Sequence, residues 1–171
     1  MQSRYACLII AGLIFSLFGD VMLVFINNNN FFKAGLAFFL ITQVIYGAAS
    51  TVSSGVYVLD YVIVMALMTI LILAYKELNM DVGNLKIPVL LYVLAITYML
   101  SKAISLLYNS NIPFYHAILA ASGAFLFFVS DAILAVNKFY RVEFKAFRAI
   151  NLITYYLGQM LIALSIFYLN Q

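Results

Sequence analysis

Four ionisable side chains fall inside long apolar runs of this sequence: Asp20, Asp60, Lys102 and Asp131. A charge at the centre of a bilayer costs about 3 kcal/mol on insertion scales, so such residues face the interior of a helix bundle and act there. Asp20 and Asp131 are the pair to follow. Each lies about six residues before the end of its run, and the two runs share a direction. At 1.5 Å rise per residue both carboxyls sit roughly 9 Å inside the interface, at equal depth. Two carboxyls in a poorly solvated site resist ionising together, which leaves one as an acid and the other as a base. Asp60, five residues into its run, is expected at the outer interface within reach of water. Lys102 is expected to snorkel outward or to pair with a carboxylate. His116, at the mouth of its run, is expected to be interfacial.

Polar and small residues repeat around the two aspartates at helical spacing. Gly12, Ser16 and Asp20 stack at four-residue intervals, as do Asn151, Tyr155 and Gln159, and Gly35, Gln43 and Tyr46 lie near one face. Three helices thus present polar stripes to one interior, and the run with Asp131 adds a fourth polar contributor.

The elements that must carry these residues follow from composition. With 67% hydrophobic and 9% charged residues and a mean hydropathy of +1.09, the chain has more apolar surface than a 171-residue soluble domain buries. Lipid is the expected solvent. A spanning helix needs roughly 20 apolar residues, and six windows qualify: 5–26, 32–49, 55–75, 87–108, 113–136 and 147–169. The runs are continuous, which excludes the alternating ten-residue segments of a membrane barrel. The expected fold is all-α, a polytopic bundle of about six transmembrane helices forming a single transmembrane domain over 1–171, with no soluble domain. The first run is too long for a signal-peptide core and contains Asp20, so it is expected to be retained. Cys7 is the one cysteine and cannot form an internal disulfide, and no Cys/His spacing points to a metal or cofactor site. The net charge of +3 sits in loops, where anionic lipid headgroups are the partner to expect rather than nucleic acid.

Lys33, Lys76, Lys86, Lys138, Arg141, Lys145 and Arg148 flank the connections after the first, third and fifth runs, whereas only Arg4 flanks the opposite side. The positive-inside rule places those three loops in the cytoplasm and both termini outside. The stretch Phe-Gly-Asp-Val-Met-Leu-Val at 18–24 also echoes Val-Ser-Asp-Ala-Ile-Leu-Ala at 129–135, and Phe31 precedes Gln43 by the same interval that separates Phe147 from Gln159. Chance similarity between apolar helices and a parallel repeat with a site at its interface both remain open.

At these residues the chain resembles the lysoplasmalogenase (YhhN-like) family of integral membrane enzymes. The resemblance runs from Tyr5 to about Leu169. It is carried by Phe-Ser-Leu-Phe-Gly-Asp at 15–20, Gly-Leu-Ala-Phe-Phe-Leu at 35–40 with Tyr46, Phe-Val-Ser-Asp-Ala-Ile-Leu-Ala-Val-Asn-Lys-Phe at 128–139, and Tyr-Tyr-Leu-Gly-Gln-Met-Leu-Ile-Ala at 155–163. It implies hydrolysis of the vinyl-ether bond of lysoplasmalogens to a fatty aldehyde and glycerophospho-ethanolamine or -choline, without a cofactor or metal. The family's motif aspartates match Asp20 and Asp131, and residues retained around them match Tyr46, Lys138, Tyr155 and Gln159. With Ser16 and Gln43 from the polar stripes, these form the expected substrate-binding set. Two departures stand out. Gln43 occupies the place of a histidine in many relatives, and a glutamine does not titrate near neutral pH. Relatives usually have about eight helices, two of them before the Gly-Asp helix with which this chain starts.

A vinyl ether hydrolyses by protonation of its β-carbon, giving an oxocarbenium ion that water traps, so the chemistry calls for an acid and a stabilising carboxylate. Asp131 is assigned the first role and Asp20 the second. The substrate is expected to be a lysophospholipid whose phosphate lies near Lys33, Lys138 and Arg141. A bacterial inner membrane suits the chain's brevity. The alternatives are a small transporter or proton-coupled permease, in which the aspartates would be ion sites, and a non-catalytic lipid-binding membrane protein.

Overall fold

The computed structural model describes residues 2–140 and 145–169. Six helices run through them: α1 (Gln2–Leu23), α2 (Asn29–Ser54), α3 (Val58–Glu77), α4 (Lys86–Ser105), α5 (Phe114–Phe139) and α6 (Lys145–Ser165). No strand occurs among the described residues, and all six helices are long and apolar enough to cross a membrane. Their outer faces carry residues such as Leu17, Met65 and Leu91 in exposed positions, a surface suited to lipid rather than water.

Helix ends depart from the hydropathy windows for local reasons. Helix α2 runs five residues past Ala49, because Thr51, Ser53 and Ser54 return their hydroxyls to the carbonyls of Gly47, Ala49 and Ser50 and so satisfy themselves within the helix. It stops at Gly55, whose φ of 77° lies in the left-handed region that favours glycine. Asn28 caps the start of α2, its side chain accepting from Asn30 N. Helix α1 ends three residues after Asp20 and gives way to turns closed by Phe25 N to Met22 O and Ile26 N to Leu23 O, whereas α5 continues eight residues beyond Asp131. The expected six-residue interval therefore does not describe either helix end.

Two close pairs, α1 with α2 and α5 with α6, make the frame. Helices α5 and α6 meet backbone to backbone: a Cβ on Gly123 would stand 2.7 Å from Gly158 O, and one on Gly158 would stand 2.8 Å from Gly123 O. In the other pair Gly12 admits the Tyr46 ring, and Gly19 the Phe39 ring. Helix α4 joins the pairs by packing on α2 and α5, and its stripe of Tyr92, Ile96, Met99 and Ala103 enters the same core as Phe39, Tyr46, Phe127 and Tyr155. Helix α3 stands apart. It packs on α4, and Asp60 is its one buried residue.

That burial corrects the expectation for Asp60. It is 5% exposed, and its carboxylate accepts from Lys102 Nζ at 2.7 Å, from the Ser105 hydroxyl, and from Tyr57 N at 2.8 Å. The cause is the start of α3: the carboxylate caps that helix and neutralises Lys102 at once. Of the two fates open to Lys102, pairing is the one realised, and its ammonium also reaches Gly55 O at 2.5 Å. His116 is corrected as well. It is fully buried, with Nδ1 2.8 Å from Ser165 O and its ring edge-on to Tyr5 at 4.7 Å. Although it opens α5, helices α1 and α6 close over it.

Candidate active site

Asp131 projects from the C-terminal half of α5 toward α2 and α4. Its Oδ2 accepts two hydrogen bonds, from Tyr92 Oη of α4 at 2.5 Å and from Gln43 Nε2 of α2 at 2.8 Å. Its Oδ1 has no hydrogen-bond partner among the described residues. The aspartate lines a partly open cavity of about 90 Å³ bordered by α2, α3, α4 and α5. The remaining walls are apolar apart from Tyr92, and include Phe32, Leu36, Leu71, Val93, Phe128 and Ala135. Phe32 and Phe139 close one end in an edge-on contact, with Val82 of the α3–α4 connection packed beside them.

Asp20, in the last turn of α1, has a different set of partners. Tyr155 Oη of α6 donates to its Oδ2 at 3.0 Å. Behind Tyr155 the bonds form an oriented series, in which Tyr46 Oη donates to Gln159 Oε1 at 2.6 Å and Gln159 Nε2 donates to Tyr155 Oη at 3.3 Å. Every hydrogen in the series points toward Asp20, so each bond polarises the next in the same sense. Ser16 is buried and returns its hydroxyl to Leu13 O at 2.8 Å. The third member of the α6 stripe, Asn151, clamps α5 through Ser130, donating to its carbonyl at 2.7 Å one residue before Asp131.

The two aspartates share no hydrogen bond. Helices α1 and α5 are not neighbours, and α2 and α6 lie between them. What joins the carboxyls is a crossed exchange of donors. Helix α2, partner of α1, supplies Gln43 to Asp131 on α5, while α6, partner of α5, supplies Tyr155 to Asp20 on α1. The rings of Phe39, Phe127 and Tyr155 fill the space within this exchange in edge-on contacts of 5.4–6.1 Å.

All but one of the residues anticipated from the sequence are therefore placed. Tyr46, Tyr155 and Gln159 gather on the Asp20 side, Gln43 on the Asp131 side, and Ser16 within the α1 stripe. Lys138 precedes Phe139 at the cavity's end, where its ammonium donates to Ile26 O at 3.0 Å and stands 4.7 Å from the Phe32 ring centre. Lys33 is exposed. Arg141, expected beside the phosphate, lies outside the described residues. Tyr92 was not anticipated. Its signal was available in the α4 stripe, since a tyrosine at helical spacing with Ile96, Met99 and Ala103 carries a hydroxyl into the core and must find a partner there.

The match to known proteins decides the family. Residues 1–166 match the model of the YhhN family. The chain belongs to that family. Among curated relatives it is 34% identical over 159 residues to "Lysoplasmalogenase TMEM86A" of Bos taurus and 35% identical over 161 residues to the Homo sapiens protein of the same name. Each alignment takes in 92% of this chain and 64% of the relative, so the chain spans under two thirds of the length of these proteins. No solved structure matches it. Membership and six long apolar helices together make it an integral, multi-pass membrane protein.

Proposed function

We propose that this protein is a membrane hydrolase that cleaves the vinyl-ether bond of lysoplasmalogens, releasing a fatty aldehyde and glycerophospho-ethanolamine or -choline. The observation that carries the reading is Asp131, a carboxyl with one uncommitted oxygen on the wall of a cavity that is apolar apart from it and Tyr92. A vinyl ether is an apolar group that asks for a proton. A slot with apolar walls and one acid suits it better than it suits an ester, whose hydrolysis calls for a nucleophile and oxyanion donors. The names of the two relatives support the same substrate class.

In this reading Asp131 gives its proton to the β-carbon of the vinyl ether, and the carbon–carbon π electrons form the new C–H bond. The Asp20 carboxylate, which the series from Tyr46 through Gln159 and Tyr155 holds in place, does not line the Asp131 cavity, so it stabilises the resulting oxocarbenium ion through the low-dielectric cluster of Phe39, Phe127 and Tyr155 rather than by contact. Water adds to the cation and its released proton restores the acid. The hemiacetal then collapses to aldehyde and alcohol. Gln43 orients Asp131, Tyr46, Gln159 and Tyr155 orient Asp20, Ser16 packs beside them on α1, and Lys33 and Lys138 attract the phosphate at the cytoplasmic face, with both termini outside and a bacterial inner membrane as the setting.

The test is aldehyde release by the purified protein in detergent, supplied with lysoplasmenyl-ethanolamine. Turnover dependent on the protein supports the reading. A transporter or a passive lipid binder releases no aldehyde, and that result overturns it.

A further inference from the structure

We propose that Tyr92 is a positioning residue for this chemistry: it holds Oδ2 of Asp131 so that Oδ1 carries the transferable proton into the cavity. The proposal rests on the hydrolase reading above and adds to it a residue on α4 that neither the sequence stripes nor the family motifs include.

The terminal torsion of an aspartate is broad and roughly two-fold, so backbone placement alone does not decide which oxygen faces a ligand. Here two donors from two different helices decide it. Tyr92 Oη and Gln43 Nε2 converge on Oδ2, at 2.5 Å and 2.8 Å, and leave Oδ1 without a partner among the described residues. An oxygen that already accepts two hydrogen bonds is the poorer place for a proton, so the neutral acid carries its hydrogen on Oδ1. Tyr92 also lines the cavity beside Asp131, which puts its ring against whatever fills that space. It is itself buried, packed in the core with Ile96 and Met99, so that its hydroxyl is held in place before a substrate arrives.

The arrangement acts most strongly during the reaction. When the Oδ1 proton moves to the β-carbon, the electron pair of the O–H bond stays on Asp131 and negative charge spreads to Oδ2. Hydrogen bonds to a charged acceptor are stronger than those to a neutral one, so the Tyr92 and Gln43 bonds tighten as the transition state forms. The proton released by the adding water restores Asp131, and no other reactant is required. Asp20 is held in a parallel manner, with Tyr155 on Oδ2 and Oδ1 without a hydrogen bond among the described residues. Each carboxyl is thus paired with a tyrosine from a different helix.

The experiment compares wild type with Tyr92→Phe, which removes one oxygen and keeps the ring. The expected result is a fall in kcat for aldehyde release of about 10- to 100-fold, the range for a lost hydrogen bond to a charged group, with KM changed by less than about twofold. Gln43→Met removes the other donor to the same oxygen and lowers kcat in the same direction, so the proposal is decided even if one variant does not fold. Tyr98→Phe, on the same helix but bonded to Thr51, retains wild-type kcat. Infrared spectra give a readout that a purely structural role would not move: the carboxyl band lost in Asp131→Asn shifts in Tyr92→Phe. An active wild type with unaltered kcat or an unshifted band in folded Tyr92→Phe overturns the role of Tyr92 alone. A wild type that releases no aldehyde overturns the hydrolase reading and the catalytic role of Tyr92 with it.

Discussion

Tyr155 of α6 donates to Asp20 of α1 at 3.0 Å, and it does so from the end of a series that begins at Tyr46 on α2. The bond links two helices whose backbones barely touch. Removing the charge that the series serves is the most direct test of the acid and base assignment. Asp20→Asn and Asp131→Asn keep size and some hydrogen bonding but lose acid and charge. Each is expected to lower aldehyde release by at least about 100-fold while thermal unfolding in detergent stays near that of wild type. Turnover within a few-fold of wild type in either variant would remove that residue from the mechanism.

The buried pair at the other end of the bundle predicts a stability effect rather than an activity effect. Lys102 is 2% exposed and neutralised by Asp60. Lys102→Met leaves Asp60 buried without its counter-charge and is expected to destabilise by about 3 kcal/mol or more. The double variant Asp60→Asn with Lys102→Met removes both charges and recovers most of the loss. Thermal unfolding of the two single variants and the double variant measures the coupling, and additive losses would show that the pair does not act as a unit.

The difference between these two sites is also the difference between what the sequence disclosed and what it hid. The runs around Asp20 and Asp131, and the four-residue stripes of Gly12, Ser16 and Asp20 or Asn151, Tyr155 and Gln159, follow from helical periodicity within single helices, which a sequence carries openly. Which stripe faces which depends on helix packing. Nothing in the spacing of Tyr92 says that α4 rather than another helix stands beside Asp131. Asp60 and Lys102 lie 42 positions apart, so their pairing is a tertiary fact, and each read by itself looks interfacial or able to snorkel. His116 was misjudged for a related reason: a place near a helix start implies water only if no neighbouring helix covers it, and α1 and α6 do. The extension of α2 past Ala49 was hidden because serine lowers hydropathy while its hydroxyl bonds back into the helix.

The α5–α6 contact predicts a steric limit. At Gly123 a Cβ would approach Gly158 O to 2.7 Å and Ile162 N to 2.9 Å, both backbone atoms that cannot turn aside. Gly123→Ala is therefore expected to cost about 1–3 kcal/mol by pushing the helices apart. It also strains the clamp from Asn151 to Ser130 that precedes Asp131. Gly12→Ala meets a tyrosine ring instead, and is expected to displace Tyr46 and weaken its bond to Gln159 rather than separate backbones. Unfolding temperatures decide the first case, and an unchanged temperature in Gly123→Ala would refute the close approach.

Charge distribution predicts orientation. Seven of the eight loop-flanking Lys and Arg lie on the side of the connections after α1, α3 and α5, so a reporter fused after Gln171 that works only outside the cytoplasm should be active. Activity of a cytoplasm-only reporter at the same position would invert the protein and move the cavity end closed by Phe32 and Phe139 to the other leaflet.

The proposed proton transfer leaves an isotopic record. If Asp131 protonates the β-carbon, hydrolysis in heavy water places one deuterium on C2 of the released aldehyde, because the acid exchanges with solvent before it donates. Because every route from a vinyl ether to an aldehyde gives C2 one hydrogen from water, the label is read together with heavy-oxygen water: trapping of the oxocarbenium ion leaves the glycerol oxygen unlabelled, whereas attack at the glycerol carbon expels an enol and puts the water oxygen into the glycerol product. Aldehydes exchange both oxygen and α-hydrogens with water, so the product must be reduced at once to the alcohol, with unlabelled aldehyde carried through to measure exchange. One deuterium above that background is the expected outcome. A solvent isotope effect on kcat should accompany it when proton transfer limits the rate, and should grow in Tyr92→Phe if that variant slows the same step. Water-derived oxygen in the glycerol hydroxyl would rule out cleavage through β-carbon protonation, and the roles given to Asp131 and Asp20 would fall even in a protein that cleaves lysoplasmalogens.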